Sequence, residues 1–98
     1  MLLRLFVIAL LVVGGLPQAL AAPDGAKLFT RHCASCHGLR GTGGIGIPLA
    51  LPSFQASTSD DYLTKTIRFG RPGRVMPAFT SLREEEVAAI VRYVRSWN

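Results

Sequence analysis

Cys33-Ala34-Ser35-Cys36-His37 is the stretch from which the rest of this chain can be read. Its pattern, Cys-x-x-Cys-His, has the spacing of a c-type haem attachment site. Two thiols three positions apart on one helical turn can each add to one of the two vinyl groups on a haem edge. The next residue then offers an imidazole to the iron. Two thioether bonds hold such a cofactor permanently, so a short chain keeps it without a deep pocket.

The same five residues have competing readings. A thioredoxin-like redox pair needs a βαβ pattern around it, and the sequence has none. A structural zinc site takes four Cys or His ligands. Cys33, Cys36, His32 and His37 are all the chain has, and His32 adjoins Cys33, where a surface position is expected for it. A disulfide across two intervening residues closes too short a loop to add much stability. One covalent haem c is the expectation, with zinc and redox roles as lesser alternatives.

Working outward, residues 1–21 read as a secretory signal peptide. Arg4 is a short positive n-region, Leu5 to Leu16 an apolar h-region, and Ala19-Leu20-Ala21 an A-x-A cleavage site. The alternative is a retained membrane anchor, but the apolar run falls short of the roughly 20 residues of a spanning helix. Export matches haem attachment, because c-type haems are attached on the far side of the energy-transducing membrane. Residues 22–98 then form one small domain, whose marginal core needs a staple. The haem supplies it. The formal charge of +5 permits a nucleic-acid partner, yet no recognition helix carries a basic stripe. An acidic protein partner or an anionic membrane surface fits better.

Asp24 can cap a first helix over 24–34, with Leu28 and Phe29 inward and Gly25 one turn before Phe29. Residues 38–52 are glycine-rich. Gly41-Thr42-Gly43-Gly44-Ile45-Gly46 matches G-x-G-x-x-G literally, but it follows no strand and opens no helix, so no dinucleotide site is expected. These glycines let the backbone turn closely against a porphyrin. Pro48 and Pro52, flanking Leu49-Ala50-Leu51, are expected to wall its His37 side. A second helix spans 59–69, capped from Ser57, Thr58 or Ser59 and ended by Gly70, with Tyr62, Leu63, Thr66, Ile67 and Phe69 inward. Arg71-Pro72-Gly73-Arg74 has the residues of a type II turn. A third helix spans 81–97, with a Ser81–Glu84 capping box and a buried face of Val87, Ile90, Val91, Val94 and Trp97. No strand pattern appears, so the fold class is all-α.

The second axial ligand has one candidate beyond residue 21, Met76, because no histidine is placed to serve. Arg74-Val75-Met76-Pro77-Ala78 is a poor core helix and a good ligand loop, although a methionine can also simply fill a core gap.

With Gly25 and Phe29 ahead of Cys33-Ala34-Ser35-Cys36-His37, then Gly38, Pro48, Met76-Pro77, Ile90 and Tyr93, residues 22–98 resemble the small class I monohaem c-type cytochromes. The resemblance implies a cytochrome c-like fold of three main helices wrapped around one covalently attached haem. It implies that the first and last helices cross at Gly25, Phe29, Ile90 and Tyr93. It also places on Pro48 the carbonyl that accepts from the proximal histidine, and makes Pro48 part of the cofactor site beside Cys33, Cys36, His37 and Met76.

The expected function is one-electron transfer in the periplasm, not catalysis, by a monomer whose iron has His37 and Met76 as ligands. An apolar pocket from Phe54, Leu63, Phe69, Val75 and Phe79 disfavours the more charged oxidised site. Arg68, Arg71 and Arg74 are candidates for docking an acidic redox partner at the haem edge, or for pairing with a propionate. The alternatives are an electron-accepting subunit of a dehydrogenase or oxidase complex, which a membrane could hold, and a haem gas sensor or enzyme.

Overall fold

A computed structural model describes residues 22–98, and the expected signal peptide lies outside them. The described residues form five helices in succession and contain no strand. The first, α1, spans Gly25–His32. Asp24 stays extended and its carboxylate accepts from the Lys27 amide at 3.1 Å, which satisfies one of the free N–H groups of the first turn. Cys33 interrupts the helix, and the short α2, Ala34–His37, carries on as a separate turn. The expected single helix over 24–34 is therefore two, with Cys33 at their junction and Cys36 inside α2.

Pro52–Ser57 forms α3, which has no counterpart among the expected helices. Pro52 sits in its first turn, where a missing N–H costs nothing. Asp60–Phe69 forms α4, capped by Ser59, whose hydroxyl accepts from the Tyr62 amide at 3.0 Å. The type II turn after it closes through Arg74 N–H to the Arg71 carbonyl at 2.9 Å, with Gly73 at φ 75°. Glu84–Arg95 forms α5.

The cap of α5 corrects the expected Ser81–Glu84 box. Arg83 is the N-cap, and Glu86 accepts from its backbone N–H at 2.9 Å. The helix starts late because Leu82 is buried in the core and its carbonyl is taken by Arg68, which keeps residues 81–82 out of helical geometry.

The core lies where α1 and α4 pack on α5. Phe29, Val87 and Ile90 are its most deeply buried large side chains. Gly25 meets the Ala89 backbone at the α1–α5 crossing, beside Tyr93. Phe29, Tyr93 and Trp97 close the crossing, with ring centroids 5.1–5.5 Å apart in tilted or edge-on pairs, the geometry aromatic quadrupoles favour. Phe69 departs from its expected inward position. It is 68% exposed on the outer face of α4, because Leu63 and Ile67 define the buried stripe and Phe69 lies off it.

Candidate functional site

The helices leave a cavity of about 310 Å³ beside the core. Cys33, Cys36, His37 and Met76 all line it, although Met76 is far from the others in sequence. Cys33 and His37 are buried and Cys36 is half-buried, and both sulfurs are free thiols. Burial, reinforced by the neighbouring Cys36, pushes the Cys33 thiol up to about 11. A buried thiolate is disfavoured there, whereas an uncharged thioether is not.

The α1–α2 junction sets the two cysteines. The Cys33 amide still donates to Phe29 at 2.8 Å, and the His37 amide donates to Cys33 at 3.0 Å. The glycine-rich loop then folds back on this turn. Gly43 donates to the His37 carbonyl at 2.8 Å, and Gly46 to the Cys36 carbonyl at 2.8 Å. His37 Nδ1 donates to the Ile47 carbonyl at 2.9 Å. This corrects the assignment to Pro48, whose own carbonyl faces the Leu51 amide at 3.4 Å in the following turn. Pro48 does not line the cavity, and neither do Leu51 and Pro52. Ile47 and Leu49 form that wall.

The Met76 loop is fastened on both sides. The Met76 carbonyl accepts from the Arg71 amide at 3.2 Å, and the Phe79 amide donates to Ile67 at 2.9 Å. Gly70, at φ 68°, lets the loop close, since a Cβ there would meet the Pro77 carbonyl carbon at 2.7 Å. Phe54, Leu63, Val75 and Phe79 line the cavity as expected, and Phe69 does not. His32 also lines it, half-buried with its ring edge-on to Phe79 at 5.7 Å, and is not the surface residue expected. Arg71 and Arg74 reach the cavity and form no salt bridge among the described residues. Arg68 is absent from the lining and bonds backbone carbonyls instead.

Residues 20–94 match the protein family described as Cytochrome C oxidase, cbb3-type, subunit III. The chain belongs to this family of c-type cytochrome domains. The cytochrome domain is 40% identical over 77 residues to cytochrome c55X from Stutzerimonas stutzeri, covering 71% of this chain and 67% of that one. It is 36% identical to a dihydro-heme d1 dehydrogenase from Pseudomonas aeruginosa, covering 94% of this chain but 19% of that protein. Among solved structures it is similar to the c-type cytochrome KustC0563, with 36% identity, a TM-score of 0.69, and 76% and 98% of the two chains covered.

The family's cofactor is haem c, covalently bound, and the cytochrome domain's own residues fit it. Two free thiols share the cavity wall. His37 keeps Nε2 free for iron because Nδ1 is committed to Ile47. Ile45 and Val75 are 80% and 78% exposed while lining the cavity, apolar surface that a large apolar cofactor would cover. The Ile47 carbonyl and the Arg68 contacts escaped the sequence reading. Neither has a signal in residue type, because one uses a backbone oxygen and the other joins distant segments.

Proposed function

We propose that this cytochrome domain is a periplasmic one-electron carrier whose iron is held by His37 and Met76. The observation that carries the reading is the convergence of Cys33, Cys36, His37 and Met76 on one cavity. The bound haem supplies reversible one-electron exchange between Fe(III) and Fe(II). Cys33 and Cys36 hold it by thioether bonds. His37, oriented by Ile47, donates from Nε2, and its bond to the carbonyl strengthens the imidazole as a donor. Met76 offers a soft, neutral thioether, which favours the reduced iron and raises the potential. Phe54, Leu63, Val75 and Phe79 exclude water and favour the less charged state in the same way. With His37 and Met76 both holding the iron, a bound haem would offer no position to a substrate, and the domain would carry electrons instead of catalysing.

Arg71 and Arg74 supply positive charge beside the cavity, which suits a redox partner with an acidic face. No described helix is long and apolar enough to cross a membrane. The leader read in residues 1–21 is the support for export. A monomer that meets its partners transiently is the simplest arrangement.

Met76→Ala tests the ligand set. The reduction potential should fall, and the reduced protein should bind carbon monoxide. A variant with the wild-type spectrum and potential removes Met76 from the iron. Haem that acidified acetone extracts would remove the covalent attachment.

A second reading follows from the relatives in which this domain is only part of the protein, such as the dihydro-heme d1 dehydrogenase. Here the domain would be the electron-accepting subunit of a dehydrogenase or oxidase complex. Gel filtration of a native extract separates the two, since a shuttle elutes at its own mass and a subunit with its complex.

A further inference from the structure

Arg68 sits in the last turn of α4, half-buried and turned away from the cavity. Its Nη1 donates to the Phe79 carbonyl at 3.1 Å and to the Leu82 carbonyl at 2.5 Å. Both acceptors lie in the non-helical link between α4 and α5, where no helical N–H reaches them. Phe79 is thus held through both backbone groups, since its amide donates to Ile67 at 2.9 Å. Its ring lines the cavity three residues beyond Met76. The other end of the loop is held by backbone bonds alone, Arg71 to Met76 at 3.2 Å and Arg74 to Arg71 at 2.9 Å, among exposed residues 71–75.

We propose that Arg68 is a positioning residue that keeps the Met76 loop closed, and so sets how readily the methionine leaves the iron. The inference rests on the reading of Met76 as ligand. A guanidinium gripping two carbonyls of a loop makes charge-assisted bonds, stronger than neutral ones. Opening the loop far enough to withdraw Met76 strains or breaks these bonds. Arg68 therefore suppresses the open population, and its positive charge contributes to the closure of the site and not to its docking surface.

The experiment measures imidazole binding to the haem-loaded, oxidised protein by stopped flow, in wild type, Arg68→Leu, Arg68→Lys and Met76→Ala. Imidazole can bind only after the methionine leaves, so its limiting rate reports loop opening. Arg68→Leu should raise that rate about tenfold or more, the factor expected from losing charge-assisted hydrogen bonds. Arg68→Lys, which keeps a cationic donor, should fall between Leu and wild type. Val87→Ala serves as a control, because Val87 is buried in the α1–α5 core away from the cavity. It should lower the melting temperature and leave the imidazole rate at the wild-type value. A wild-type rate in both Arg68 variants, with Met76→Ala fast, overturns the role of Arg68 and leaves Met76 as ligand. An equal acceleration in Val87→Ala overturns it too, since general destabilisation then accounts for the effect. A wild-type rate in Met76→Ala overturns the ligand assignment, and the role of Arg68 with it.

Discussion

His37 Nδ1 lies 2.9 Å from the carbonyl oxygen of Ile47. A carbonyl cannot donate, so this contact places the ring proton on Nδ1 and keeps the Nε2 lone pair for a metal. The contact depends on Gly46, because a Cβ there would lie 2.6 Å from His37 Cε1 and 2.7 Å from Nδ1. Gly46→Ala should tilt the ring and weaken its bond to Ile47. A less basic imidazole stabilises Fe(III) less, so the reduction potential should move upward. Spectroelectrochemical titration checks this, and a lower potential contradicts it.

Gly25→Ala sets two effects against each other. Alanine within a helix gains about 0.5–1 kcal/mol over glycine. At Gly25 the added Cβ would press on the Ala89 backbone, which has no side chain to swing aside. Overpacking costs about 1–3 kcal/mol, so the clash should win. The melting temperature should fall by several degrees, as scanning calorimetry would register. A rise would show that α1 and α5 separate without cost.

Phe29→Ala removes a fully buried ring with aromatic partners Tyr93 and Trp97. The loss should be about 3–5 kcal/mol, measured by denaturant unfolding of the haem-loaded protein. Visible spectra of the folded fraction should keep the wild-type ligand set.

Arg95 and Asp60 form an ion pair at 2.7 Å, but the two partners should differ greatly on substitution. Asp60 is largely exposed, and Asp60→Asn should cost under about 1 kcal/mol. Arg95 also donates to the Gln55 carbonyl at 2.8 Å, to Gln55 Oε1 at 3.1 Å, and to the Thr58 carbonyl. Gln55 is buried and bonds Leu49 and Val94 in turn. Arg95→Leu strands several acceptors and should cost about 1–3 kcal/mol. Equal urea midpoints for the two variants would contradict this.

Arg71 and Arg74 should govern the salt dependence of electron transfer to an acidic partner. Exposed charges are screened over a Debye length of about 8 Å at physiological ionic strength, so the bimolecular rate should fall as salt rises. Neutralising either arginine should flatten that slope. A shifted potential with an unchanged slope would instead identify a propionate partner.

The all-helical class was legible in residue order, and so was the grouping of Cys33, Cys36 and His37 at one cavity, because three residues spaced over one turn stay together wherever that turn packs. The turn at 71–74 was legible for the same reason, and the cap of α4 was narrowed to Ser57, Thr58 or Ser59, of which the structure uses Ser59, since each is a local contact among neighbours. Met76 stood out by elimination among residue types. What residue order left undetermined involves partners far apart in the chain. The Ile47 carbonyl replaced that of Pro48 because the fold of the glycine loop decides which peptide oxygen meets the His37 ring. The late start of α5 reflects Leu82, drawn into the core and bonded by Arg68. Arg68 itself left the charged surface for the loop carbonyls, while Phe69 stayed outside despite its hydrophobicity. Local hydrogen bonds and covalent spacing are set by neighbours in sequence. Which carbonyl, ring or guanidinium fills a given contact is set by how α1, α4 and α5 pack, and only the tertiary structure decides that.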